Sequence, residues 1–291
     1  MILLVRFFSR WPLWALYQLA NVIFLLAYYG LRYRRRVVWE NLCRSFPDKS
    51  PAEIHQIARR FYIHLAEVMV EIVKGYRIRP EALAQRIKIR NPEVLGDYLK
   101  KGTSVITMTG HSGNWEWILL RCASHFQLPA DAIYKPLSNP AAEKLMLHIR
   151  SRFGGHPIPM KKTLREIIHR REIVRMFATV ADQCPHQSEK VLWTCFLGLD
   201  TAFYTGTEKI AQMTKYPVLF VGMHRLRRGY YEIYFEPLAA PPYPAEAQFI
   251  IENYALALER LVRAEPENWL WSHKRWKYPK PNTTPQAQTA G

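Results

Sequence analysis

Short, β-branched, uncharged segments alternate with amphipathic stretches along most of this chain, and that alternation constrains its fold more than any other feature. Thr103–Thr109 reads Thr-Ser-Val-Ile-Thr-Met-Thr between Gly102 and Gly110. It is too short for a helix and fits a strand covered on both faces. Trp115–Phe126 follows as helix. The pattern then repeats: a strand around Ala132–Lys135, a helix from Asn139-Pro140 to Gly154, a strand near Pro157–Met160, helix Thr163–Arg171 and strand Val174–Ala181. Farther on come a strand around Val191–Phe196, helix Thr207–Lys215 and strand Pro217–His224. A turn at Arg227-Arg228-Gly229 leads into Tyr230–Phe235, and a helix runs from about Ala245 to Ala264. Such alternation predicts an α/β fold, a largely parallel central sheet flanked by helices.

Two helical stretches precede it. Trp11–Leu31 carries no charged side chain and is bracketed by Arg10 and by Arg32, Arg34, Arg35 and Arg36. At about 1.5 Å per residue it can just cross a hydrocarbon core of roughly 30 Å. Trp11, Trp14, Tyr28 and Tyr29 lie near its ends, where amphipathic rings settle at headgroup level. Four arginines follow it rather than a cleavage site, which argues for a retained anchor over a signal peptide. An interfacial helix and a buried core helix are its other readings. The heavier positive cluster after the run predicts a cytoplasmic domain. Ser50-Pro51-Ala52-Glu53 is an N-cap with a capping-box acid, and apolar residues from Ile54 to Ile72 then recur at helical spacing up to Gly75. The expected organisation is an anchor with its basic flank over 1–36, one cytoplasmic domain over 37–277, and a disordered tail over 278–291.

Charge narrows the partners. Lys plus Arg number 41 against 24 Asp plus Glu, a formal net charge of +17. An anionic partner follows: nucleic acid, a phospholipid surface, a phosphorylated substrate or an acidic protein. Four cysteines with no CxxC pair argue against a disulfide scaffold or a structural zinc site.

The segment Gly110-His111-Ser112-Gly113-Asn114-Trp115-Glu116 concentrates the chemistry. It places a His at the carboxyl end of a strand, where open α/β sheets bind ligands, and an acid five residues later across a Gly-containing turn. A His oriented by a carboxylate is a general base. The bland alternative is a turn His with Glu116 favoured by the helix dipole.

GHSGNWE resembles the HX4D/E motif of the glycerolipid-type acyltransferase superfamily, and its Asn-Trp-Glu ending is similar to the late lipid A (lauroyl/myristoyl) acyltransferases. Tyr134-Lys135-Pro136 with Asn139-Pro140, Arg150-Ser151-Arg152-Phe153-Gly154, Ala181-Asp182-Gln183, Phe196-Leu197-Gly198 before Thr205-Gly206, and the stretch from Pro266 to Lys277 resemble further blocks of that family, in order. The resemblance implies acyl transfer from an acyl–acyl carrier protein to a hydroxyl of the Kdo-bearing lipid A precursor at the inner membrane. His111 is then the base and Glu116 holds its imidazole. Asn114, Lys135, Arg150, Arg152, Asp182 and Gln183 are the substrate-binding candidates, with Arg152 or turn amides near Gly113 facing the oxyanion. No cofactor, metal or nucleic-acid partner is implied. The chain contains no GxSxG elbow, which agrees with direct attack by a substrate hydroxyl.

Arg and Lys crowding between Lys135 and Arg175 would meet phosphates or an acidic carrier. His273, among Trp269, Trp271, Arg275 and Trp276, reads as a membrane-interface cluster, or as a nucleic-acid platform if the anchor is ignored. An acyl groove is expected beside His111, with Trp117, Ile118, Leu120 and the Ile54–Ile72 face as its floor. Two rival functions remain at this level: acyl transfer to another lipid acceptor, and a non-catalytic membrane-anchored basic binding protein.

Overall fold

The computed structural model describes residues 2–244 and 248–281. Helix α4 (Pro51–Gly75) starts where the sequence places it. The Ser50 N–H donates to Glu53 Oε2 at 2.8 Å, and the Glu53 N–H donates to Ser50 Oγ. Ahead of it, α1 (Ile2–Phe8), α2 (Leu13–Leu25) with a π-helical turn over Leu26–Gly30, and α3 (Arg35–Ser45) pack together. The apolar run does not stand apart from the domain. Leu16, Tyr17, Ala20 and Phe24 of α2 are buried, while Trp14, Val22 and Leu25 remain exposed. Polar bonds pin the inner side. The Tyr17 hydroxyl donates to Glu71 at 2.9 Å, and Arg228 Nη2 donates to Asn21 Oδ1 at 2.8 Å.

After α5 (Pro80–Arg86), β1 (Ile87–Ile89) and α6 (Glu93–Lys100), the alternating core begins. It comprises β2 (Val105–Thr109), α7 (Trp115–Phe126), β3 (Ala130–Tyr134), α8 (Pro140–Arg150), β4 (Gly155–Pro159), α9 (Thr163–His169) and β5 (Met176–Val180). Then come β6 (Val191–Phe196), β7 (Leu199–Tyr204), α10 (Gly206–Thr214), β8 (Val218–Arg227), β9 (Tyr230–Ala239) and α11 (Phe249–Ala264). The main sheet has seven strands in the order β1-β9-β8-β2-β5-β3-β4. β8, β2, β5, β3 and β4 run parallel; the tight turn at Gly229 sends β9 back antiparallel, and β1 follows β9. β2 is buried along its whole length, as its composition predicts.

Two expectations shift, and a third lies mostly outside the described residues. β6 does not join the sheet; it pairs with β7 as a separate antiparallel hairpin. The closing helix begins at Phe249, and its expected start at Ala245 lies outside the described residues. Of the tail 278–291, only 278–281 fall within the description.

The Trp-rich carboxyl-terminal cluster is folded into the core rather than offered to an interface. Trp269, Trp271 and Arg275 are buried. Leu270 N–H donates to the His111 carbonyl at 3.0 Å, Gly113 N–H donates to the Asn268 carbonyl at 3.0 Å, and Ser112 bridges to Trp269. The indole N–H groups find partners, as buried tryptophans require. This segment therefore braces the turn that follows β2.

Candidate active site

β2 and β5 are parallel neighbours with Thr109 level with Val180. Two residues beyond that register stand His111 and Asp182, so the sheet brings them together across a separation of 71 residues. His111 Nδ1 lies 2.5 Å from Asp182 Oδ1. Asp182 Oδ2 accepts the His111 backbone N–H and the Trp269 indole N–H, each at 2.7 Å. Burial would raise this carboxyl, but the His111 charge and these hydrogen bonds outweigh it and hold Asp182 at about 2. An ionised carboxylate only accepts, so Nδ1 carries the proton and Nε2 is left as the base. Gln183 Nε2 sits 3.3 Å from that Nε2 and can donate to it until a substrate hydroxyl replaces it.

The carboxylate bonded to the His111 imidazole is thus Asp182, not the expected Glu116. Glu116 lies in the first turn of α7, turned toward α8. Arg150 clasps it through Nε at 2.9 Å and Nη2 at 2.5 Å. This two-pronged pair raises the Arg150 pKa despite the burial that opposes it. The two Arg150 Nη1 hydrogens are not used by Glu116.

The turn itself is sterically specified. A Cβ on Gly110 would fall 2.5 Å from Leu258 Cδ1, so any side chain there would have to displace the buried Leu258. Gly113 has φ +62° and a Cβ there would meet Met223 Sδ at 2.8 Å. Asn114, expected to meet substrate, does not line the cavity beside His111. It is fully buried, caps α7 by accepting the Trp117 N–H at 3.1 Å, and donates to Glu71 at 2.7 Å. The expected oxyanion donors are also occupied elsewhere. Arg152 Nη1 and Nη2 donate to the carbonyls of Gly75 and Ile78, each at 2.5 Å, closing the carboxyl end of α4. The Gly113 N–H is bound to Asn268.

Sequence reasoning missed the support beneath this turn. Glu71 on α4 is fully buried and accepts from Asn114, from the Tyr231 hydroxyl at 2.8 Å and from the Tyr17 hydroxyl. Burial pushes its carboxyl up to about 7, against the pull of those three donors. Glu67, one turn earlier, is buried and paired with the partly exposed Arg225 and Arg228. Two acids four residues apart on a mostly apolar helix face were the available signal.

A cavity of about 860 Å³ opens at the carboxyl ends of β2, β3, β4 and β5. His111, Glu116, Lys135, Arg150 and Gln183 line it. Its wall is apolar, with Ile118, Leu119, Cys122, Met176 and Ala178 prominent. Of the expected groove residues Ile118 lines it, whereas Trp117 and Leu120 are buried in the core behind α7. The apolar face of α4 packs into the core with them. Burial pushes the Cys122 thiol up to about 12, so it stays protonated. Among the other basic residues, Arg170 and Arg175 are tied to the buried Asp131, at 2.7 and 2.8 Å, and serve the fold. Burial likewise pushes His273 down to about 4, and its Nε2 accepts the Cys184 N–H at 2.9 Å.

Residues 2–278 match the family described as bacterial lipid A biosynthesis acyltransferase. A lipid A biosynthesis acyltransferase of Haemophilus influenzae is 22% identical over 233 residues, which cover 79% of this chain and 72% of that protein. A lipid A biosynthesis lauroyltransferase of Escherichia coli is 22% identical over 273 residues, covering 91% of this chain and 86% of its own length. With a match over nearly its whole length and a His–Asp pair set at the mouth of an apolar cavity, the chain belongs to the bacterial lipid A biosynthesis acyltransferases and is an enzyme.

Proposed function

We propose that the cavity transfers a fatty acyl chain from an acyl–acyl carrier protein thioester to a hydroxyl of the Kdo-bearing lipid A precursor, without an acyl-enzyme intermediate. The observation that carries this reading is His111 Nε2 facing an apolar-walled cavity while Nδ1 is fixed by Asp182. The acceptor hydroxyl displaces the Gln183 amide and gives its proton to Nε2 as its oxygen attacks the thioester carbonyl. Asp182 stabilises the imidazolium that forms. The tetrahedral oxyanion then collapses, the C–S bond breaks, and the departing thiolate takes the proton from Nε2. Arg150, steadied by Glu116, has the unused Nη1 hydrogens to meet the oxyanion or an acceptor oxygen. Lys135 stands exposed at the mouth for an anionic group. The one thiol in the cavity wall is held protonated, which favours direct transfer.

An acyl chain of about 12 carbons offers about 0.8 kcal/mol per buried methylene, and the Ile118–Leu119–Cys122 wall is positioned to receive it. The exposed side of α2 would enter the inner membrane from its cytoplasmic face, with Arg32, Arg34, Arg35 and Arg36 at the headgroups. The direct test incubates the purified chain with an acyl–acyl carrier protein thioester and a tetra-acylated Kdo-lipid precursor. The expected product is heavier by one acyl group, and the enzyme keeps its intact mass throughout. Acylation of a lysophospholipid instead would move the acceptor. A stable acyl-enzyme adduct would overturn the mechanism.

A further inference from the structure

Five large apolar side chains stand in solvent around the cavity mouth: Leu137 at 44% exposure, Met160 at 42%, Leu164 at 56%, Val180 at 36% and Met213 at 49%. Four of them sit at the carboxyl end of a parallel strand or shortly beyond it. Val180 ends β5, Leu137 follows β3, and Met160 and Leu164 follow β4. Exposed apolar residues scattered singly need no explanation, but a ring of them about one opening marks a surface built for contact. Cations interleave the ring: Lys135, Lys161, Lys162, Arg165 and Lys209 are all exposed. The nearby acids are engaged. Glu143 accepts from the Tyr134 hydroxyl and the Leu137 N–H, and Glu166 pairs with His156.

The orientation of α2 adds an independent constraint. Its Asn21 is bound by Arg228, which follows the last residue of β8. β8 runs parallel to β2, so α2 and the cavity mouth occupy the same end of the sheet. α2 and the apolar–basic ring therefore both lie toward the carboxyl end of the parallel strands.

We propose that this ring is a second membrane-contact surface, which seats the cavity mouth on an anionic bilayer so that a lipid acceptor reaches His111 from within the leaflet. Apolar side chains enter the acyl boundary while the lysines pair with anionic headgroups, a combination that holds a protein surface at an interface. The acceptor's route rests on the function proposed above; the contact itself does not.

The test is partition of the full-length chain onto vesicles, which needs no turnover. Wild type is compared with Met160→Asp/Leu164→Asp and with Lys161→Glu/Lys162→Glu. Vesicles are either phosphatidylethanolamine with phosphatidylglycerol, or phosphatidylcholine alone. All four positions are exposed, so both variants should keep their circular dichroism and melting temperature. Each should lose about tenfold or more in partition onto the anionic vesicles. The loss for the lysine variant should vanish on phosphatidylcholine. If the apolar variant folds poorly, the lysine variant and its lipid dependence carry the test. Wild-type partition by both variants overturns the proposal. So does unchanged vesicle binding with weakened binding to an acidic acyl carrier protein, because the ring would then dock the donor. A wild-type chain that shows this vesicle dependence but transfers no acyl group overturns the function and leaves the contact standing.

Discussion

The Gly110–Glu116 turn has two sides, and they are built in opposite ways. On the cavity side, His111 and the Glu116–Arg150 pair keep donors and acceptors turned toward open space. On the underside, Asn114 spends its amide on Glu71 and its oxygen on the α7 amino terminus, and Gly113 is tied to Asn268. A catalytic base has to stay in place while its own bonds change. The fixed bonds are therefore found one layer below, where water cannot compete and each hydrogen bond is stronger. The underside also reaches Tyr17 of α2, so the apolar amino-terminal helix and the Gly110–Glu116 turn share one carboxylate.

If that division is right, the largest loss comes from the cavity side. His111→Ala should lower kcat by about 10²–10⁴-fold, and Asp182→Asn should come close to it because the wrong tautomer is then favoured. Glu116→Gln should cost less and act mainly through the acceptor KM. Steady-state kinetics with purified variants decide it; a Glu116 effect on kcat larger than that of Asp182 would return the orienting role to Glu116.

The underside should answer to pH rather than to substrate. The folded-state pKa of Glu71 is raised from 4.5 to about 7. Below pH 4.5 both folded and unfolded chains hold the proton. Between about 4.5 and 7 the unfolded chain releases it first, so stability falls as pH rises through that window, by up to about 3 kcal/mol. Glu208, raised from 4.5 to about 7 by its own burial, falls in the same window. A comparison of wild type with Glu71→Gln isolates Glu71, since Gln retains an acceptor for Asn114. Thermal unfolding of that variant should depend less on pH between 5 and 7; parallel curves would mean that Glu71 does not titrate there.

Arg150→Lys tests the two-pronged clasp. A lysine cannot make both bonds to Glu116, and charge-assisted bonds are worth about 1.5–3 kcal/mol, so acceptor KM should rise about 10–100-fold. An effect of comparable size is expected on donor selection. Leu119→Phe narrows the apolar wall and should shift preference toward shorter chains by at most about 10–200-fold per step. Competition among carrier proteins charged with different chain lengths measures it, and equal use of all lengths would remove that wall from selection. The smallest effect is expected for Arg152→Ala. It frees two carbonyls at the end of α4, which should lower stability by about 1–2 kcal/mol and activity by less than tenfold. A complete loss of transfer in a folded Arg152→Ala protein would put Arg152 back in the site.

Local sequence carried far enough to place His111 and most of the elements around it. The α4 capping box, the Trp115–Phe126 helix and the buried β2 strand depend on neighbours within a few positions, and each forms as its residues predict. Glu116 shows where that reach ends. Five residues from His111, it had the right chemistry and spacing, but the start of α7 turns it toward α8.

The sequence by itself determined an α/β chain with one reactive turn, a basic surface and an apolar amino-terminal helix, because periodicity, capping and charge are properties of short stretches. Which carboxylate serves the histidine was decided only by the strand order. Setting β5 beside β2 in that register brings Asp182 level with His111, and no local pattern encodes which strands become neighbours. The burial of Trp269, Trp271 and Arg275, the diversion of Arg152 to a helix end and the Glu71 support were decided at the same level. Each depends on which side chains, far apart in the chain, are excluded from water together.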